Sequence, residues 1–147
     1  YDIKKDRDGW KSEHSDGVWL SLNDESDGTR RVLSLLASFL TSLETGSVLV
    51  VDEIDISLHP ILLRTLISLF LDKRYNTKNA QLICSSHNTD LMDAPYVTTS
   101  ELFIFEKTKK DGSICVPVEE LTSSKDKGRI RSLYLSGRLS GVPFPYI

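Results

Sequence analysis

Two adjacent carboxylates, Asp52 and Glu53, directly follow the apolar run Val48–Val51. Such a run is typical of a strand buried on both faces of a sheet. Adjacent side chains of a strand point to opposite sides of the pleat, so one carboxylate can hold Mg²⁺ through its water shell while the other deprotonates a water. Hydrolysis of a phosphoanhydride needs this arrangement. In isolation, such a pair is more typical of a loop cap and a solvated side chain, because apolar runs followed by Asp-Glu are common.

A histidine follows a second apolar run in the same way. Gln81–Cys84 predicts a short strand, and Ser85, Ser86 and His87 come directly after it. A neutral imidazole at this place can hydrogen-bond a terminal phosphate oxygen. The alternatives are a strand-end histidine in a turn, or a Cys84/His87 zinc pair whose further ligands, such as His59, lack a recognisable spacing.

A third polar cluster, Ser26–Gly28, precedes a helical pattern. Gly28 permits close approach of the backbone, Ser26 can donate a hydrogen bond, and the first amides of a helix attract anions. A plain N-cap is the alternative interpretation, because Ser or Asp is expected before any helix.

The elements that position these clusters follow from hydrophobic periodicity. The pattern predicts a strand at 18–22, a helix from about Asp27–Arg30 that stops before Gly46, and a helix from Pro60 to about Leu71. Together with the two apolar runs, this order predicts an α/β fold with a mainly parallel sheet flanked by helices. Ligands of such sheets bind at the carboxyl ends of the strands, where both polar clusters fall.

The two ends of the chain differ from this centre. Residues 1–17 are polar and predict a loop or frayed stub. Near the other end, 102–105 and 114–118 predict a strand pair around the turn 110–113, and a last helix is expected from about Lys127 to Leu135.

Composition narrows the class of protein. The chain has 147 residues, 39% of them hydrophobic and 27% charged, which excludes a wholly disordered chain. Two cysteines give no disulfide framework, and neither a membrane span nor a signal peptide is visible, so a cytoplasmic location is expected. The net charge of −3 argues against strong nucleic-acid binding. Residues 122–147 nevertheless carry five basic side chains and one acidic. Such a small basic tail is most typical of a solvated helix face, and the alternatives are contact with a partner's acidic surface or with a nucleic-acid backbone.

The order and spacing of the three clusters are more specific than any one of them. They resemble the second half of an ABC-class ATPase head, and more narrowly its RecF/SMC/OLD-like branch with the AAA-type ATPases found beside restriction and phage-defence genes. The matching segments are Glu25–Arg31 as the signature motif, Val48–Glu53 as Walker B, Ile54–Pro60 as the D-loop, and Ser85–His87 as the switch histidine. Residues 134–144 also resemble the C-terminal end of that group.

The resemblance implies a role for each matching residue. Asp52 would help to hold Mg²⁺, Glu53 would be the general base, and His87 would contact the γ-phosphate. Ser26, Gly28 and Thr29 would close over ATP bound to the opposite subunit of a head-to-tail homodimer. The D-loop residues Asp55, Ser57 and Leu58 would lie along the dimer interface.

The sequence departs from the family pattern at several positions. The signature reads Ser-Asp-Gly-Thr, so Asp27 adds a negative charge near the phosphates. His59 stands where many transporter ATPases have an aspartate, although His-Pro is usual in the RecF/SMC/OLD-like branch that the sequence resembles. No Gly-x-x-x-x-Gly-Lys-Ser/Thr occurs, and none of the eight glycines is followed by lysine. Together with the missing initiator methionine, this predicts a longer protein whose upstream lobe holds the P-loop. Residues 18–147 would then be the C-terminal lobe of a P-loop NTPase-like head.

The leading hypothesis is therefore an ATPase that acts on DNA or on a nuclease or other effector partner, in phage defence, restriction or a repair-like process. The 147 residues alone would be inactive. Two alternatives stay open. Asp52, Glu53, Asp55 and His87 could bind divalent ions in a nuclease, or the chain could be a degenerate module that only binds a partner.

Overall fold

The computed structural model describes residues 2–7, 9–13, 17–108, 112–139 and 141–142. Residues 110 and 111 of the predicted turn, and Pro143 and Phe144 of the tail resemblance, lie outside them. The chain divides into two compact units, Tyr1–His87 and Asn88–Ile147. The first unit holds all three polar clusters found in the sequence. The predicted boundary between residues 17 and 18 is a different division and stays a prediction.

The first unit begins with a three-stranded antiparallel sheet. Strands β1 (Ile3–Asp6), β2 (Gly9–Glu13) and β3 (Trp19–Ser21) pair in chain order. The prediction of a loop over the first residues was wrong, because Ile3–Asp6 and Gly9–Glu13 pair as antiparallel strands. The strand predicted at 18–22 exists, but it joins this antiparallel sheet and not a parallel one.

Helices and strands alternate through the rest of the first unit. Helix α1 (Asp27–Thr45) leads into β4 (Val48–Val51), and α2 (Pro60–Leu71) leads into β5 (Gln81–Cys84). Strands β4 and β5 pair in parallel with Val51 beside Cys84. These bounds confirm the sequence prediction, because capping residues mark the starts: Ser26 accepts from the amide of Thr29, and His59 accepts from that of Ile61.

The two helices pack on one face of the β4–β5 pair. Phe39 of α1 and Phe70 of α2 are buried, and their rings meet edge to face at 5.1 Å between centroids. The opposite face is open: Val48, Val50 and Ile83 are 53%, 70% and 58% exposed. The prediction that Val48–Val51 is buried on both faces was therefore wrong for this chain, since nothing in the described residues covers the second face.

The second unit is built around an antiparallel hairpin. Strands β6 (Phe103–Thr108) and β7 (Gly112–Pro117) confirm the predicted C-terminal strand pair, and α3 (Val118–Leu121) follows directly. Helix α4 (Ile130–Leu135) is shorter than predicted at its start. Gly128 has a φ of +75°, which the right-handed helix cannot accommodate. The core of this unit is formed by Ile104, Val118, Ile130, Leu133 and Leu139.

The structure is thus mixed α/β and compatible with a P-loop NTPase-like fold. The prediction of a mainly parallel sheet was wrong for the described residues, because β4–β5 is parallel while the other two sheets are antiparallel. No helix in the described part of the chain combines the length and the hydropathy that a membrane crossing requires.

Candidate functional site

The parallel pairing of β4 and β5 brings two of the polar clusters together. After the last strand residues, the backbone ladder continues for one more step. The amide of Ser85 donates to the carbonyl of Val51 at 3.1 Å, and the amide of Ile54 donates to the carbonyl of Ser85 at 3.0 Å. Asp52 and Glu53 are therefore held beside Ser85, as the rule for the carboxyl ends of parallel strands predicts.

The Ser85 hydroxyl joins the two carboxylate residues. Its Oγ donates to Oδ1 of Asp52 and accepts from the backbone amide of Glu53 at 2.7 Å. This role of Ser85 is not predicted by any motif in the sequence. The only signal was its place beside His87, because hydrogen bonds to main-chain atoms leave no pattern in a sequence.

Glu53 stands in an unusual backbone conformation. Its φ is +47°, in the left-handed region that residues other than glycine seldom adopt. Strand β4 ends at Val51, so the alternation of a pleat does not extend to Asp52 and Glu53, and the prediction that they point to opposite sides of one pleat was wrong. The chain turns here instead, and the Glu53 carbonyl accepts from the amide of Ile56 at 3.1 Å.

Arg31 supports the same turn from α1. Its Nη2 donates to the carbonyls of Asp52 and Glu53, each at 3.4 Å. The strained segment is therefore held from two sides, by α1 and by the end of β5. Backbone strain that persists under such support is a frequent feature of functional sites. Arg31 lies in the signature segment, but no pattern in the sequence links it to the carboxylates.

His87 lies next to Glu53 and is bound by Asp55. The His87 Nε2 is 3.4 Å from Oε1 of Glu53, and the His87 amide donates to Oδ1 of Asp55 at 3.1 Å. The imidazole is 81% exposed and the Glu53 side chain 45%. Both groups are thus accessible to a bound molecule, and Asp55 fixes the backbone that carries the imidazole.

The third cluster forms the start of α1. Ser26 and Thr29 contact each other, with 2.9 Å between their hydroxyl oxygens. Asp27 pairs with Arg30 one turn later, which offsets the extra negative charge of this signature segment. Glu25 just before it is buried and accepts from the Ser12 hydroxyl, so β2 anchors the segment.

Gly28 connects this cluster to the loop after Glu53. A Cβ at position 28 would lie 2.9 Å from the carbonyl oxygen of Ser57. Ser57 has a φ of +58°, so its carbonyl is part of a second strained turn. This close approach explains why position 28 is a glycine, since Cβ atoms in proteins are essentially never found this near to a carbonyl oxygen. The structure thus brings Gly28 to Ser57, while no described contact joins Ser26 or Thr29 to Asp52, Glu53 or His87.

We expect Gly28→Ala to lower the free energy of unfolding by about 1–2 kcal/mol. Overpacking costs about 1–3 kcal/mol, while the gain in helix propensity is at most about 1 kcal/mol. Chemical denaturation measures the difference. Ser38→Ala, an exposed change on the same helix, is the control and should be neutral or slightly stabilising. A Gly28→Ala protein as stable as the Ser38→Ala protein would contradict this prediction, because it would show that the Ser57 backbone can shift without a cost in free energy.

The Asp52 carboxylate fits the way proteins hold Mg²⁺. The side chain is exposed, and no described residue donates to its Oδ2. Mg²⁺ keeps several waters and is usually bound through one or two carboxylates plus substrate phosphates. A single carboxylate oriented by Ser85 is therefore a sufficient protein contribution.

Neither of the other metal hypotheses gains support. Within the described ranges, no group of three or more His, Cys, Asp or Glu side chains is arranged to hold a metal ion. Cys84 has part of its surface exposed, yet desolvation raises the pKa of its thiol, and the charge of Asp55 raises it further. Since zinc binds the thiolate, this disfavours a Cys84/His87 zinc pair. Among the side chains that the structure describes, the nuclease alternative therefore finds no cluster of ligands to support it.

The fold is compatible with an AAA-type ATPase-like domain, and a comparison with known families supports this class. A family model described as "AAA domain, putative AbiEii toxin, Type IV TA system" matches residues 4–93, which is more than half of the chain. The chain belongs to this family. The match covers the first unit from residue 4 onward, with the Asp52, Glu53 and His87 positions. No curated protein and no solved structure matches the chain.

Proposed function

We propose that this chain is the C-terminal lobe of an ABC-type ATPase head that hydrolyses ATP with Mg²⁺ as a head-to-tail homodimer. The observation that carries the proposal is the convergence of Asp52, Glu53 and His87 at the adjacent ends of β4 and β5, through Ser85 and Asp55. The family match supports the ATPase class independently of that geometry.

Each residue of the cluster has a chemical task in this proposal. A Mg²⁺ ion bound with ATP neutralises phosphate charge. The Asp52 carboxylate would bind the water shell of that ion. Glu53 accepts the proton of the attacking water, and its accessible carboxylate allows a water to approach. His87 donates a hydrogen bond from its exposed imidazole to the terminal phosphate.

The remaining site residues act on the partner subunit in this proposal. Ser26, Thr29 and the first amides of α1 form a polar surface that makes no described contact with the carboxylates of its own chain. They would close over the nucleotide held by the opposite subunit. The close approach of Gly28 to the Ser57 carbonyl would fix the position of this polar surface. Asp55 and Ser57 would then lie along the interface between the two heads.

The biological setting belongs to the proposal as well. The description of the matched family places it with an abortive-infection toxin of a toxin–antitoxin system. We propose that ATP-driven closure and opening of the dimer acts on DNA or on a nuclease or other effector partner in phage defence, in the cytoplasm. The basic tail at residues 122–147 carries a net positive charge, which would favour binding to DNA or to an acidic surface of the effector partner.

We expect Mg²⁺-dependent release of phosphate from ATP by the full-length protein, meaning the polypeptide that carries this chain with a P-loop lobe. The 147-residue chain alone should show no turnover above background, because the groups that cradle the β-phosphate are not in its sequence. A phosphate-release assay with and without EDTA measures both. A full-length protein without Mg²⁺-dependent turnover would contradict the proposed function, and rapid turnover by the chain alone would contradict the proposed division of labour.

A further inference from the structure

We propose that Ser85 is a positioning residue that couples the metal-holding Asp52 to the backbone of the general base Glu53. The inference rests on the proposed ATPase function for its catalytic meaning, but its geometric part can be tested without it.

All the hydrogen-bonding groups of Ser85 are directed to one short segment. Its amide and carbonyl bind the backbone of Val51 and Ile54. Its hydroxyl lies between Asp52 and Glu53, which are 33 and 32 residues earlier in the chain. Ser85 therefore binds the four consecutive residues 51–54. Its main chain binds Val51 and Ile54, and its side chain binds Asp52 and Glu53.

The chemistry of the hydroxyl fixes the direction of each bond. An amide N–H can only donate and an ionised carboxylate can only accept. The single hydroxyl proton therefore goes to Asp52, and an oxygen lone pair accepts the Glu53 amide. One atom thus sets both the rotamer of the Asp52 carboxylate and the position of the Glu53 main chain.

The Glu53 amide needs this partner because the backbone ladder ends there. The ladder between Val51, Ser85 and Ile54 leaves no described main-chain acceptor for the amide of Glu53. A residue with φ near +47° also has to be held against a steric preference for the right-handed region. The hydroxyl supplies the missing acceptor and so stabilises the turn that presents the Glu53 side chain. Ser85 is exposed, so a threonine can supply the same hydroxyl with space for its methyl group.

Hydrogen exchange of the Glu53 amide tests the geometric part, measured by NMR on the 147-residue protein. Ser85→Ala should speed exchange of this amide about fivefold to tenfold, as expected for one lost hydrogen bond. Ser85→Thr should keep most of the protection. Ser132→Ala is the matched control, because it removes an exposed hydroxyl that donates to the carbonyl of Arg129 in the second unit. Protection of the α1 amides in all variants would show that the fold is intact. Unchanged Glu53 exchange in a folded Ser85→Ala protein would overturn the proposal.

Steady-state kinetics of the full-length protein test the catalytic part. Ser85→Ala should lower kcat about tenfold and raise the Mg²⁺ concentration for half-maximal activity, with the KM for ATP changed less than about twofold. Ser85→Thr should restore at least half of the activity. If Glu53→Gln turned over like the wild type, the proposed ATPase function would fail. If Glu53→Gln were inactive while Ser85→Ala kept the wild-type kcat and Mg²⁺ requirement, the positioning role of Ser85 would fail alone.

Discussion

Replacement of Glu53 by glutamine is expected to lower the kcat for ATP hydrolysis by the full-length protein at least about 100-fold, while ATP binding survives. General base catalysis contributes about 10²- to 10⁴-fold to a rate, and an amide cannot take the proton of the attacking water. Removing the base leaves the substrate-binding groups in place, so the loss should appear in turnover and not in affinity.

The structure explains why this substitution should be a clean one. The contacts that hold position 53 use its main chain: its amide donates to Ser85, and its carbonyl accepts from Arg31 and from Ile56. Glutamine keeps these atoms and the size of the side chain. The left-handed turn should therefore persist, and the variant should unfold at the same denaturant concentration as the wild type.

Two measurements separate binding from chemistry in this variant. Phosphate release gives kcat, and nucleotide titration gives the Kd for ATP, which should change less than about threefold. Because the bound ATP is no longer consumed, the variant should also accumulate ATP-dependent dimers in sedimentation experiments. Glu44→Gln, a change of an exposed glutamate in the last turn of α1, is the matched control and should leave kcat unaffected. Wild-type turnover by Glu53→Gln would remove Glu53 from the role of base.

The elements around the site could be predicted from the sequence because local signals mark them. Helices α1 and α2 have strong periodicity with Ser26 and His59 as caps, and the apolar runs of β4 and β5 are bounded by polar residues. The approach of Glu53 to His87 follows from the rule that the carboxyl ends of parallel strands meet at one edge of a sheet. It needed no knowledge of any side-chain contact.

Other features of the site could not be predicted from local patterns. The left-handed turn at Glu53 depends on two residues that are distant in sequence and bind main-chain atoms: Arg31 donates to the Glu53 carbonyl, and Ser85 Oγ accepts from the Glu53 amide. The approach of Gly28 to Ser57 is of the same kind. Strands β1 and β2 were missed because their side chains are mostly charged, and partners elsewhere in a sheet override weak strand propensity. The open face of β4 could not be predicted either. An apolar run indicates that a strand can be covered on both faces, but only the three-dimensional structure shows whether another element covers them.

Phe39→Ala is expected to lower the free energy of unfolding of the first unit by about 3–5 kcal/mol, the largest effect on stability that we predict. The Phe39 side chain is fully buried at the contact between α1 and α2. Truncation removes its transfer free energy and leaves a cavity between α2 and α1, the helix that begins at the Ser26 cluster. Since domains are stable by only about 5–15 kcal/mol, the variant should be near the limit of folding.

The edge-to-face contact with Phe70 makes part of this loss specific to the pair of rings. Such pairs contribute about 0.5–1.5 kcal/mol beyond the burial of area. A double-mutant cycle with Phe39→Ala and Phe70→Ala should return a coupling of that size, and two losses that simply add would show that the rings do not interact. Denaturant titration followed by tryptophan fluorescence reports on the right unit, because Trp10 and Trp19 both lie in it.

Leu40→Ala is the matched control for the truncation of Phe39. Leu40 is the next residue of α1 and is 48% exposed, so its removal should cost less than about 1 kcal/mol. Helix α1 begins at the Ser26 cluster, and its Arg31 donates a hydrogen bond to the Glu53 carbonyl. Weaker packing between α1 and α2 should therefore also disturb the site. Partial unfolding by Phe39→Ala should therefore increase hydrogen exchange at Glu53 as well as in α1, whereas Leu40→Ala should leave both protected. Equal destabilisation by the two variants would contradict the assignment of this core.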